Sequence, residues 1–120
     1  INPPSMKSVG PYSPAVKAGD YLFISGQIGK DANGKLPDDF KSQMRISIEN
    51  LGSILKESGL DYEHLVQATV YLTDMNNYLT ANKMYQSFFP ENRLPARAVV
   101  EVSRLPAGAL VEIMGVAYKA

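Results

Sequence analysis

Cysteine is missing from all 120 residues. That excludes disulfides, thiolate catalysis and cysteine metal sites. Histidine is almost missing: His64 stands alone, which excludes a histidine-rich metal centre and a switch built from several histidines. Net charge is missing as well, with 12 Lys and Arg against 12 Asp and Glu. Such a balance speaks against a broad basic surface for duplex nucleic acid. No apolar run approaches the roughly 20 residues that span a bilayer. The start, Ile1-Asn-Pro-Pro, lacks the charged-then-apolar layout of a signal peptide, and no Asn-x-Ser/Thr sequon occurs. Repeats and low-complexity tracts are absent too. The expectation is a soluble cytoplasmic protein with no membrane partner.

What the chain does have is a hydrophobic content of 45%, enough for one real core in a single domain over residues 1–120. Two prolines brace residues 9–14, which therefore read as rigid and non-helical. Alternation and turn residues predict strands at 15–17 and 21–25, with Gly19-Asp20 as the hairpin turn between them. Asp38 or Asp39 can cap a helix that runs to about Glu57, because Phe40, Met44, Ile48, Leu51 and Leu55 fall at helical spacing and Gly59 follows. A strand over 65–73 puts Val66, Ala68, Val70 and Leu72 on one face. Asp74 can cap a second helix over 77–89, striped by Tyr78, Ala81, Tyr85 and Phe88 and stopped by Pro90. Two last strands follow at 96–104 and 109–118. The order ββαβαββ is α+β: a mixed sheet with two helices on one face. The final strands are apolar on both sides, and an apolar face without a helix over it predicts a homo-oligomer with the open face inward.

Among the charges of those final strands, Arg97 opens the apolar run of the first and Glu112 sits inside the second. A charge in a dry, β-branched setting costs several kcal/mol, so something must offset it. A salt bridge between adjacent strands is one account. A hairpin centred on Pro106-Ala107 would place Arg97 opposite Val116 and Glu101 opposite Glu112, leaving Arg97 and Glu112 offset by roughly 13 Å and two glutamates facing each other. A ligand is the other account. The planar fork of an arginine suits a carboxylate, and a glutamate in a partly apolar site has a raised pKa and can handle protons.

Further candidates are less specific. Tyr12 lies in the proline-braced segment, where packing at a strand start would also explain it. Ser25 and Gly26 lie at a strand end, where a hydroxyl and backbone N–H groups can meet a ligand or simply make a turn. Asn82 is a helix-surface donor by default, and His64 reads as structural. The Gly26-Gln-Ile-Gly29-Lys30 stretch lacks the spacing of a phosphate loop, and Asp31 stands where Ser or Thr should follow the lysine.

Taken together, Gly10-Pro-Tyr-Ser-Pro-Ala15, Ile24-Ser-Gly-Gln-Ile-Gly29, Ile48-Glu-Asn-Leu51, Pro95-Ala-Arg97, Leu105-Pro106 and Val111-Glu-Ile113 resemble the RidA (YjgF-like) family of reactive intermediate deaminases over nearly the whole chain. The resemblance implies a chorismate-mutase-like α+β fold and a homotrimer whose sheets line a central barrel, with pockets between subunits. It implies hydrolysis of enamine/imine intermediates (2-aminoacrylate, 2-iminobutanoate, 2-iminopropanoate) to 2-keto acids and ammonia, with no cofactor and no metal. Carried over residue by residue, Arg97 binds the substrate carboxylate, Glu112 positions or activates water, and Tyr12 assists proton transfer. Ser25, Gly26, Asn82 and Val99 line the pocket. Val99 stands where many members carry cysteine, which removes any thiol regulation but leaves water-based chemistry intact. Two alternatives travel with the family: an endoribonuclease or translation inhibitor, which the neutral charge and single histidine oppose, and a non-catalytic ligand-binding or chaperone-like trimer.

Overall fold

The computed structural model describes residues 12–91 and 93–120. Of the proline-braced segment, residues 9–11 lie outside the described residues. The first helix, α1 (Phe40–Glu57), starts where Asp39 accepts a hydrogen bond from the Ser42 N–H at 2.9 Å. Asp39, not Asp38, is therefore the cap, and that bond holds its carboxyl below the usual range. α1 ends at Ser58, and Gly59 takes the left-handed conformation with φ 77° that lets the chain turn away. Its apolar stripe, Met44, Ile48, Leu51, Ile54 and Leu55, is completely buried. Each such side chain stabilises the fold by about 1.5–3 kcal/mol.

Five strands form one sheet: β1 (Ala15–Ala18), β2 (Tyr21–Ile28), β3 (Leu65–Leu72), β4 (Ala96–Glu101) and β5 (Val111–Tyr118), in the spatial order β1-β2-β5-β3-β4. The second helix, α2 (Tyr78–Gln86), follows a 3-10 turn (Met75–Asn77) that Asp74 caps through the Asn76 N–H. It ends three residues before the expected Phe89. β3, α2 and β4 form a parallel crossover unit, and all other pairings are antiparallel.

The expected β4–β5 hairpin is therefore wrong. β3 lies between those strands, with Tyr71 beside both Glu112 and Val100, so Glu101 and Glu112 do not face each other. The chain leaves β4 at Glu101, turns at Pro106–Gly108 and enters the sheet on the far side of β3. Nor does Val66 share the buried face of β3. The register shifts between Leu65 and Gln67, which leaves Val66 exposed while Ala68, Val70 and Leu72 stay buried.

Leu22, Ile24, Val111, Ile113 and Ala117 meet the helices in the core. On the opposite face Tyr21, Phe23, Val100, Met114 and Tyr118 are exposed. Tyr21 and Tyr118, directly opposite in the β2–β5 register, meet with ring centroids 5.0 Å apart and planes tilted by 56°. No helix among the described residues is long and apolar enough to cross a membrane.

Candidate functional site

Glu112 lies between the buried residues Val111 and Ile113 on β5, so alternation turns its side chain to the open face. Ile28 of β2 and Tyr71 of β3 flank it in register. A cavity of about 420 Å³ opens there, lined by Tyr12, Ser25, Gly26, Ile28, Pro106, Glu112 and Met114. Four of the residues singled out in the sequence, Tyr12, Ser25, Gly26 and Glu112, thus come together.

A bulge in β2 makes this possible. Ile24 pairs with Gly115 but Gln27 pairs with Ile113, so β2 carries one extra residue between them. The extra residue shifts the alternation and brings Ile28 to the cavity side beside Glu112. The Ser25 hydroxyl donates to the Ser13 carbonyl at 2.7 Å, and the Ser25 N–H donates to the Pro14 carbonyl at 2.9 Å. These two bonds tie the Tyr12 segment to β2. Across the cavity, Ala107 and Gly108 are both left-handed, with φ 59° and 70°, and they turn the chain so that Pro106 reaches the rim. The alanine costs about 1–2 kcal/mol in that conformation. Met114 receives a hydrogen bond on sulfur from the Tyr71 hydroxyl at 3.5 Å.

Burial raises the Glu112 carboxyl above its ordinary 4.5. Gly26 is required by contact rather than by φ: a Cβ there would overlap the Glu112 carboxylate. Gly26→Ala should therefore push the carboxylate aside. A displacement of about 1 Å costs about 10²-fold in rate, with little change in melting temperature because Glu112 is only half-buried. Unchanged turnover in the folded variant would show that the carboxylate does not act from this position.

A second group forms on the other face of the sheet. Arg97 on β4 points towards α2. Its guanidinium carbon lies 4.9 Å from the ring centre of Tyr85 and 6.0 Å from that of Tyr78, contacts worth about 0.5–2 kcal/mol. Asn82 sits on α2 between these tyrosines, four residues after one and three before the other, hence on the same helix face. Asn82 Oδ1 and the Tyr85 hydroxyl are buried and have no hydrogen-bond partner among the described residues. Burial pushes the Tyr85 hydroxyl up to about 12, with Arg97 acting in the opposite sense. Val99 packs against the core on the same side of β4 as Arg97. It is not part of the Glu112 cavity.

Arg97 and Glu112 do not meet within one chain. Arg97 is level with Ala68, and Ala68 with Gly115, three residues beyond Glu112. Two strand spacings and three residues of rise separate the backbones by roughly 14 Å, and the side chains point to opposite faces. Among the described residues Arg97 has no carboxylate partner; the ion pair found there is Arg45–Glu49 at 3.9 Å. A half-buried guanidinium on an aromatic platform, with its fork unclaimed, is suited to an anion that comes from outside the chain.

The family model described as Endoribonuclease L-PSP matches residues 3–119. A RutC family protein of Pyrococcus horikoshii is 46% identical over 115 residues, covering 94% of this chain and 90% of its own. The 2-iminobutanoate/2-iminopropanoate deaminase of Mus musculus is 42% identical over 112 residues, covering 92% and 82%. The crystal structure of Escherichia coli TdcF with bound serine superposes with a TM-score of 0.89 at 36% identity, covering 94% and 91%. The Escherichia coli YjgF structure superposes with a TM-score of 0.88 at 36% identity, with the same coverage. The chain belongs to the RidA/YjgF family.

As a RidA/YjgF chain it has the α+β fold expected from its sequence. The site holds more than its sequence revealed. Ile28, Pro106 and Met114 line the cavity without having been marked by the sequence, and Tyr85 was marked only as part of a core stripe. A glycine inside a strand, Gly26, is the one signal that points to a bulge and hence to Ile28. Nothing local marks Tyr85, since its meeting with Arg97 depends on the β3–α2–β4 crossover.

Proposed function

We propose that this protein hydrolyses small 2-imino acids and their enamine tautomers to 2-keto acids and ammonia, in a homotrimer whose sites form between subunits. Arg97 carries the reading. It is a cation without an anion among the described residues, and the carboxylate of an imino acid fits its fork. In the proposed site, one subunit offers Arg97 with Asn82 and Tyr85, and its neighbour offers Tyr12, Ser25, Gly26 and Glu112. The exposed apolar face around Tyr21, Phe23 and Tyr118 is the surface that such packing would cover.

The chemistry needs little beyond orientation and proton transfer. Water attacks the imine carbon while ionised Glu112 takes its proton. The C=N electrons move to nitrogen, which is protonated, giving a carbinolamine. The C–N bond then breaks, ammonia leaves, and the hydroxyl loses its proton as the carbonyl forms. Tyr12, which lines the same cavity as Glu112, can relay these protons. The mouse relative's name and the serine bound to TdcF, itself an amino acid with an α-carboxylate, support this substrate class. Ribonuclease chemistry gains no support from the cavity. The lone histidine, His64, accepts the Asp61 N–H at 3.0 Å and precedes β3, whose stretch from Leu65 to Tyr71 alone spans roughly 20 Å.

Coupled to a serine/threonine dehydratase, the purified protein should accelerate keto acid release. Because the Glu112 pKa is raised, its base form should be lost as pH falls through a value above 4.5. The acid limb of kcat/KM should lie there. Glu112→Gln should remove that limb together with about 10²–10⁴-fold of rate. No acceleration by the wild type would end the proposal.

A further inference from the structure

We infer that Gln43, a buried residue of α1 outside the cavity, is a positioning residue that sets the Pro106 rim and Glu112 in place for the proposed reaction. It is the most deeply buried amide in the described structure, 2% exposed, and both ends of its side chain are engaged. Its Nε2 donates to the Pro37 carbonyl at 2.6 Å, and its Oε1 accepts the Leu110 N–H at 2.8 Å. The Leu110 carbonyl in turn accepts the Thr73 N–H at 3.3 Å. The peptide groups of Leu110 are thus fixed on both sides, just where β5 begins and two residues before Glu112.

The location matters because the loop before it is strained. Ala107 and Gly108 are both left-handed, and a loop in that conformation persists only when its surroundings over-determine it. Gln43 supplies that constraint from outside the sheet. It also joins this loop to the other cavity wall. The backbone of Gly29, which follows β2, packs so closely on Gln43 that a Cβ at Gly29 would come within 2.5 Å of the Gln43 Cα. Two helical turns further along α1, Asn50 donates to the carbonyls of Ile28 at 3.1 Å and Lys30 at 2.9 Å. One helix therefore holds both strand ends that border the cavity: Asn50 the end of β2, Gln43 the start of β5.

The inference rests on Glu112 acting at the cavity, and two substitutions separate positioning from stability. Gln43→Met removes both bonds. Gln43→Glu keeps an oxygen to accept the Leu110 N–H but, when ionised, cannot donate to Pro37, and it buries a charge. Stability should therefore fall at least as far in Gln43→Glu as in Gln43→Met. Activity should follow the Leu110 bond instead: kcat at least about tenfold below wild type in Gln43→Met and closer to wild type in Gln43→Glu. Affinity for 2-oxobutanoate, which Arg97 would hold, should change by less than about threefold in either. Both are measured well below each melting midpoint. If kcat follows melting temperature, or Gln43→Met retains wild-type kcat, Gln43 is merely structural.

A readout independent of turnover is the carbon-13 titration of the Glu112 carboxyl. Among the described residues, Tyr12 from the N-terminal segment and Tyr71 on β3 are the titratable side chains facing it; β2 contributes Ser25, Gly26 and Ile28, and the loop contributes Pro106. In Gln43→Met the midpoint should fall towards the ordinary carboxyl value as the rim loosens and water enters. An unchanged midpoint would overturn the inference. If the wild type hydrolyses no imine yet the midpoint moves, the proposed reaction fails while the positioning role stands.

Discussion

Arg97→Lys should lower kcat/KM for imino acid hydrolysis by about two orders of magnitude, and Arg97→Ala by two to four. Each charge-assisted hydrogen bond to a carboxylate is worth about 1.5–3 kcal/mol, and a guanidinium fork makes two of them. Lysine restores the charge but not the fork or the stacking on Tyr85. Most of the loss should appear in KM, since the carboxylate is held in ground and transition states alike. The fold should tolerate both changes. Arg97 is half-buried on an edge strand, and its ring contacts with Tyr85 and Tyr78 are the interactions it loses. A melting temperature near wild type with hydrolysis lost would place Arg97 in binding. Wild-type KM in Arg97→Ala would remove the carboxylate site.

Why Arg97 tolerates its setting was half legible in the sequence. The residue types and their apolar surroundings were visible, and so was the separation from Glu112. The reason given for that separation was mistaken. The hairpin expectation treated strands adjacent in sequence as adjacent in space, which holds for β1 and β2 but not for β4 and β5. Part of the answer was also in the sequence: a strand, a helix and a strand at 65–101 form a crossover unit, and such strands run parallel. The crossover fixes the β3–β4 pair but not the choice of β5, which takes the far side of β3 and leaves the other edge of β4 bare. Helix periodicity was the most legible feature, because Met44, Ile48 and Leu51 repeat at a spacing that only a helix satisfies. Bulges were the least legible. One extra residue at Ser25-Gly26 moves Ile28 to the cavity, with Gly26 as its one trace in the sequence, and another irregularity beside Val66 turns it outwards with no trace in composition or period. Gln43 was equally hidden. Its two partners, Pro37 and Leu110, lie six and 67 residues away, and only the folded chain brings them together.

Mixing two inactive variants should restore activity. Within one chain the Arg97 group and the Glu112 group occupy opposite faces of the sheet, so neither can complete the other. If a neighbouring subunit supplies the missing half, then Arg97→Ala and Glu112→Gln each damage every site in their own homo-oligomer. After unfolding and refolding together in equal amounts, a site is intact wherever an Arg97-bearing subunit meets a Glu112-bearing one in the correct order. Random assembly into a closed ring gives that arrangement about a quarter of the time, whatever the ring size. Activity should therefore rise from near zero to about 25% of wild type, and only after subunits exchange; simple mixing of preformed oligomers should give less. Rescue would establish a shared site and, with light scattering showing three chains, the trimer. Absence of rescue in mixed oligomers confirmed by mass would mean that each chain works with its own residues alone. The 14 Å separation across two faces would then have to close by rearrangement of the sheet edge, and β4, the edge strand that carries Arg97, would be the element to move.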